Sequence, residues 1–299
     1  MKRYLSLVLL ATLFLSISCV KGEKFADESL LTRPGVYGYL AQPVSDDPGT
    51  KASVTPEIKF SFEIGDRINI WSEVGTLLIY TVTELSAGGG AVFSGGGFTL
   101  TDGMTYYSLY PLISNFKEGM SQIPVSYEGQ VQTADGDANH VAPYSQLYTS
   151  ATCENGSTHF SYQHLSSWAR LFLTLPINPM TVTKVELMAD SPVFALDGTV
   201  DVVAGTFTPG TMSDKMTLTL DNVMVTDGVL NAYMALDHFA AFTATVRVTD
   251  SEGNVYTSEP FAQNALAIGK YRTMNATVAL EAPDTHPGGN EGIGGGVDD

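Results

Sequence analysis

The chain has 299 residues, with 15 Lys plus Arg against 32 Asp plus Glu, a formal net charge of -17. That balance argues against a nucleic-acid binder, which needs many cationic contacts to phosphates, and against docking on an anionic bilayer through a basic patch. Apolar residues make up 44% and charged ones 16%, too much core material for a disordered protein. At roughly 100–200 residues per domain the length predicts one large or two ordinary domains. Plentiful Thr, Val, Tyr, Phe and Gly beside scarce Lys, Glu and Arg predict an all-β chain.

Residues 1–18 read as a signal peptide: Met1-Lys2-Arg3 is basic, and Tyr4 to Ile17 is almost wholly apolar but short for a membrane span. The run ends Leu15-Ser16-Ile17-Ser18-Cys19, which is similar to the bacterial lipobox. That resemblance implies cleavage between Ser18 and Cys19, then fatty acylation (palmitate among the chains) of the Cys19 thiol and new amino terminus. Several acyl chains hold a bilayer far more firmly than one. With Cys19 lipidated, the second cysteine, Cys153, has no intrachain partner. It sits in a polar, turn-like stretch beside Glu154, which reads as a plain surface or half-buried thiol rather than a nucleophile.

Residues 19–55 read as a tether with one early strand at Gly35–Leu40. Ile58, Phe60, Phe62 and Ile64 then share one parity against Lys59, Ser61 and Glu63, predicting a half-buried strand. Gly65-Asp66 turns the chain into Ile68-Asn69-Ile70, and further strands are expected at Leu78–Val82 and Tyr106–Tyr110. Alternation recurs at Phe160–Tyr162, Leu171–Leu175, Val182–Leu187, Met216–Leu220, Phe242–Val248 and Met274–Leu280. Turn signals stand between them at Asp197-Gly198, Asp227-Gly228 and Glu252-Gly253-Asn254. Short strands at this spacing predict sandwiches or barrels. Two sandwiches in series are expected, at 56–155 and 156–282, with a seam near 150–157. Residues 283–299 are Gly-rich and acidic without periodicity, and read as disordered.

Little in the sequence points to chemistry. His159 and His164 are five apart, so a strand would turn them to opposite faces. Asp135, Asp137 and Asn139 resemble the start of a calcium loop, but His140 and Gln146 stand where Gly and a bidentate Glu would be needed. The glycine triplets around Ala91–Ser94 lack the Lys-Ser/Thr of a phosphate loop and read as turns. No Gly-x-Ser-x-Gly elbow occurs. No metal, cofactor or catalytic residue is therefore expected, and the chain reads as a non-enzyme.

Four stretches carry a family resemblance. They are Phe60–Trp71, with an aromatic strand, a Gly-Asp turn and a second strand; Tyr106–Pro111; Phe160–Leu165 running into Leu171-Phe172-Leu173; and Ile268-Gly269-Lys270-Tyr271 before the closing strand. In this order behind a lipobox, they resemble the fimbrillin family, the lipoprotein pilins and pilin-like proteins of Gram-negative anaerobes that assemble as type V pili. The resemblance implies two transthyretin-like or immunoglobulin-like sandwiches and a lipid-anchored place on the cell outer membrane, surface-exposed or on a pilus. It further implies cleavage by an Arg-specific protease, freeing an early strand whose groove a neighbouring subunit then fills by β-augmentation. Arg33, the only Arg between Cys19 and Asp66, is the candidate cleavage residue.

Three features depart from a stalk subunit: Pro34 follows Arg33, the acidic tail has no donor-strand alternation, and Lys21–Lys24 lacks an acidic export cluster. The sequence thus predicts a tip, anchor or accessory component with adhesive or structural work, whose partners are other pilin subunits or itself, the membrane through its lipid, and a host or bacterial surface ligand. The alternative is a surface glycan-binding lipoprotein that stacks sugar rings on Trp71 or Trp168.

Overall fold

The computed structural model describes residues 34–46 and 58–281, apart from 73, 75, 87 and 96–98. The signal peptide, Ser18, Cys19, Lys21–Lys24, Arg33 and the tail from 282 lie outside the described residues.

The first part of the chain forms β1 (Val36–Leu40), β2 (Val44–Ser45), β3 (Arg67–Ser72), β4 (Leu77–Leu85) and β5 (Ala91–Gly95). It continues through β6 (Thr105–Tyr110), β7 (Gln122–Ser126), β8 (Val131–Gln132), β9 (Leu147–Thr152) and β10 (Thr158–His164). Next come β11 (Ser167–Thr174), β12 (Met180–Ala189), β13 (Phe194–Ala195), β14 (Asp197–Asp201), β15 (Phe207–Pro209) and β16 (Met212–Ser213). The last are β17 (Lys215–Val225), β18 (Val229–Leu236), β19 (Phe242–Asp250), β20 (Val255–Ser258), β21 (Phe261–Gln263) and β22 (Lys270–Leu280). A 3-10 turn at Asn139–Tyr144 is the only helical element among the described residues. The fold is all-β, as the composition predicts.

Seven strands close on themselves in the order β1-β10-β9-β6-β3-β4-β5, around a core that includes Ile68, Ile70, Phe93 and Tyr162. Eight strands of a ten-stranded sheet run β18-β11-β22-β20-β19-β12-β17-β8, with β2 joined to β22 and β21 to β19. This second sheet encloses a core that includes Leu171, Val185, Leu218 and Val246. A third cluster lies on the outer side of the closed sheet. There Trp71, Tyr107, Leu109 and Phe116 pack with Ile123 of β7 and Val200 of β14.

The reason is visible in β6. Tyr106 points into the closed core and Tyr107 and Leu109 into the outer cluster, so the strand is buried on both faces. A strand of this kind reads as a continuous apolar run, not as an alternation.

Four expectations are corrected by the fold. Residues 58–63 form no strand and join no ladder. Ile58 enters the core of the ten-stranded sheet and Phe62 that of the closed sheet, while Ile64 is 62% exposed. The alternation at Ile58–Phe62 therefore records a segment bridging two cores. Second, Asp197-Gly198 opens β14 and pairs with Ser126 and Val125 of β7 instead of turning. The third concerns the seam at 150–157, which falls in the tight turn of the β9–β10 hairpin, where Asn155 and Gly156 have positive φ. The chain passes to the ten-stranded sheet at 165–166. Last, Cys153 is neither exposed nor half-buried; it is fully buried in the closed core, and burial pushes its thiol above the usual range.

Candidate strand-pairing site

The early strand expected at Gly35–Leu40 forms, and its position is the most informative feature of the closed sheet. β1 pairs in parallel with β10, from Val36 opposite Thr158 to Leu40 opposite Tyr162, and antiparallel with β5 at Val36–Gly38. Among the described residues it is the only link between β5 and β10, so its absence would leave two open edges over an apolar core. Burial holds it in place. Val36 and Leu40 point into the closed core, and Tyr37 is buried on the opposite side with its ring stacked on His159 at 4.8 Å. Each such side chain contributes about 1.5–3 kcal/mol relative to exposure.

Gly38 fits because it has no side chain. A Cβ there would stand 2.8 Å from Phe93 Cε2 and 3.1 Å from Tyr162 Cε2. The two rings flank the strand from its two neighbours and close the space that a larger residue would need.

The exit from β1 is fastened by side chains. His164 Nε2 lies 2.6 Å from the Ala41 carbonyl oxygen, and the Ala41 N–H donates to the Tyr162 carbonyl at 3.0 Å. Gln42 holds Phe60 at both ends of its peptide unit, donating from Nε2 to the Phe60 carbonyl at 2.8 Å and accepting the Phe60 N–H at 3.0 Å. That amide side chain satisfies the Phe60 N–H and carbonyl in place of a partner strand. β2 then adds in parallel to β22, and Asp46 ion-pairs with Arg272 and with Lys270, the latter at 3.0 Å. Residues 35–46 thus touch both sheets.

The chain order bears on Arg33. It precedes β1, so a cut there would part the residues carrying Cys19 from the body while leaving β1 attached. Releasing β1 requires a break on its other side.

The remaining candidates resolve into structural roles. His159 lies on the exposed face of β10 and His164 on the buried face, as the odd spacing predicts. Asp135 and Asp137 accept backbone N–H groups from Asn231 and Asn139 at 2.7 and 2.9 Å, and Asn139 is the first residue of the 3-10 turn. Among the described residues no group of three or more His, Cys, Asp or Glu comes together as a metal cluster. A cleft of about 500 Å³ at the junction of the two sheets is lined by Phe60, Glu63, Asp66, Tyr110, Asn139 and Val141. In it the Tyr110 hydroxyl donates to Asp66 at 2.7 Å; burial, that bond and the nearby carboxylates raise its pKa.

Trp71 and Trp168 are both core residues. Trp71 is 4% exposed and donates from Nε1 to the Val202 carbonyl at 2.9 Å. Trp168 is fully buried, donating to Ser145 Oγ at 2.8 Å and packed edge-on to His164. Neither offers a face to a sugar ring, which removes the basis of the glycan-stacking expectation.

Several residues that fasten the site gave no sequence signal. Gln42, Asp46 and His164 matter through partners 18, 226 and 123 positions away, and no local pattern encodes such distances.

No protein-family profile and no curated protein matches the sequence. Solved structures do. One is a putative cell adhesion protein from Bacteroides ovatus, 17% identical with a TM-score of 0.54, covering 84% of this chain and 96% of that one. Another putative cell adhesion protein, from Bacteroides uniformis, is 16% identical with a TM-score of 0.51 over 74% of this chain and 93% of its own. The fimbrial anchor protein Mfa2 from Porphyromonas gingivalis is more distant, at 15% identity and a TM-score of 0.37 over 77% and 81%. The fold is thus that of solved Bacteroides proteins described as putative cell adhesion proteins.

Proposed function

We propose that this chain is a fimbrillin-like cell-surface lipoprotein, a structural or adhesive pilus component that works by strand pairing at the β1 seat. The observation that carries the reading is that β1 alone closes the seven-stranded sheet. A strand donated by a neighbouring subunit would gain main-chain hydrogen bonds on both sides and bury alternate side chains in the pockets of Val36 and Leu40. In this reading Cys19 carries the lipid, the protein sits on the outer membrane, and its partners are other pilin subunits or its own copies. The two sheets act as two domains that change over at 165–166. Arg33 is the candidate processing residue; it lies ahead of β1, so a cut there would leave the seat filled. A tip, anchor or accessory role fits a subunit whose own β1 fills the seat until a neighbour's strand displaces it.

The test is a denaturing gel of surface fractions, run with and without boiling. A single band in both lanes is expected for a subunit with a filled seat. A ladder that collapses to one band on boiling would mean polymerisation and overturn the accessory role. In a second arm, deletion of Gly35–Leu40 should convert a monomer to oligomers; an unchanged monomer would overturn the β1 seat.

A further inference from the structure

β18 lies at one end of the ten-stranded sheet, bonded to β11 on one side only. Its sequence, Val229-Leu230-Asn231-Ala232-Tyr233-Met234-Ala235-Leu236, is long and apolar for an edge strand. Such an edge is a template for another chain unless something occupies it.

Every outward-facing backbone group from Asn231 to Ala235 is occupied, and mostly by side chains. Gln130 accepts the Ala235 N–H at 2.7 Å and donates to the Ala235 carbonyl at 2.7 Å. Two positions along, Gln132 accepts the Tyr233 N–H at 3.0 Å and donates to the Asn231 carbonyl at 2.8 Å. Asp135 accepts the Asn231 N–H at 2.7 Å, the Gly136 N–H reaches the Asn231 carbonyl at 3.1 Å, and His140 Nε2 lies 2.8 Å from the Tyr233 carbonyl. Both glutamines are fully buried. The same segment pairs through its backbone with β17, Val131 opposite Thr219 and Gln132 opposite Leu220. One short segment therefore closes the sheet by main chain on β17 and by side chains on β18.

We infer that the segment Gln130–His140 is a built-in edge cap that prevents β18 from pairing with β18 of a second copy of this chain. A second copy is the fitting occupant because an antiparallel β18–β18 contact is self-complementary, as a two-fold interface requires. The cap would confine strand pairing between copies to other parts of the molecule. It stands whether or not the β1 seat accepts a donated strand.

The test replaces Gln130 and Gln132 together by Met, which keeps the apolar bulk and removes both amides. Sedimentation should show a monomer for the parent chain and a concentration-dependent dimer for the double variant. In the parent, amide exchange should be slow at Asn231, Tyr233 and Ala235; in the dilute variant, Tyr233 and Ala235 should exchange on the order of 100-fold faster. A folded variant that stays monomeric at high concentration overturns the inference. Should the double variant not fold, the parent decides alone. Fast exchange at the three outward amides, against slow exchange at Leu230, Ala232 and Met234, overturns the cap, and slow exchange at all six upholds it.

Discussion

His164 and Ala41 meet at 2.6 Å, the imidazole Nε2 facing the carbonyl oxygen at the point where the chain leaves β1. The ring is also wedged against Phe60 and Trp168. Burial pushes the His164 imidazole down to about 4, partly opposed by the bond to Ala41. In the unfolded chain a histidine titrates near 6.5. Between about pH 6.5 and 4 the unfolded chain therefore binds a proton that the folded chain does not, so stability falls as the solution is acidified across that window. The loss should approach about 3 kcal/mol at its acid end. Urea midpoints at pH 7, 5.5 and 4.5 would read it, and His164→Gln should flatten this part of the slope.

Gly38→Ala should destabilise the protein by about 1–3 kcal/mol, because the new methyl meets the Phe93 and Tyr162 rings at 2.8 and 3.1 Å. Adding Phe93→Leu should recover part of that loss. Thermal unfolding of the two single variants and the double variant gives the coupling directly, and simple additivity would count against the contact.

Asp46 and Arg272 fasten β2 to β22. The Arg272 side chain is 9% exposed, and its Nη1 also donates to the Asn264 carbonyl at 2.7 Å. Asp46→Ala leaves that guanidinium without its carboxylate, at an expected cost of about 1–3 kcal/mol given the partial exposure of Asp46. Limited proteolysis should then clip residues 34–46 faster than in the parent chain.

Both tryptophans should emit at short wavelength and resist iodide quenching, since Trp71 and Trp168 are buried. Adding a polysaccharide panel should leave the emission unchanged. Trp168→Phe removes the donor to Ser145 and should cost about 1–2 kcal/mol, measured by urea unfolding.

Cys153 should ignore a thiol reagent such as Ellman's in the native protein. Its sulfur is buried in the closed core and its pKa is raised chiefly by that burial. The reaction should become rapid once urea passes the unfolding midpoint. Fast labelling of the folded chain would mean that the closed sheet opens more readily than its packing implies.

Much of the strand inventory was written in local pattern. The β10 segment Thr158–His164 alternates perfectly between buried and exposed, and parity alone placed His159 and His164 on opposite faces. β4 and β19 were legible for the same reason: a strand with one buried face leaves a period of two in its own residues. Ile58–Ile64 showed the same period and was misread, because side chains entering two different cores alternate just as those entering one do. Asp197-Gly198 looked like a turn, and only pairing with β7, about 70 residues earlier, made it a strand.

By itself, then, the sequence determined the all-β class and most strand positions. Those follow from side-chain chemistry repeated at short range. Only the tertiary structure decided that β1 closes the first sheet between β5 and β10, that Gln42 and His164 fasten it, and that Gln130 and Gln132 close the edge of β18. These are pairings between backbone groups far apart in the chain. Backbone groups are the same at every residue, so register and partner choice leave no local mark.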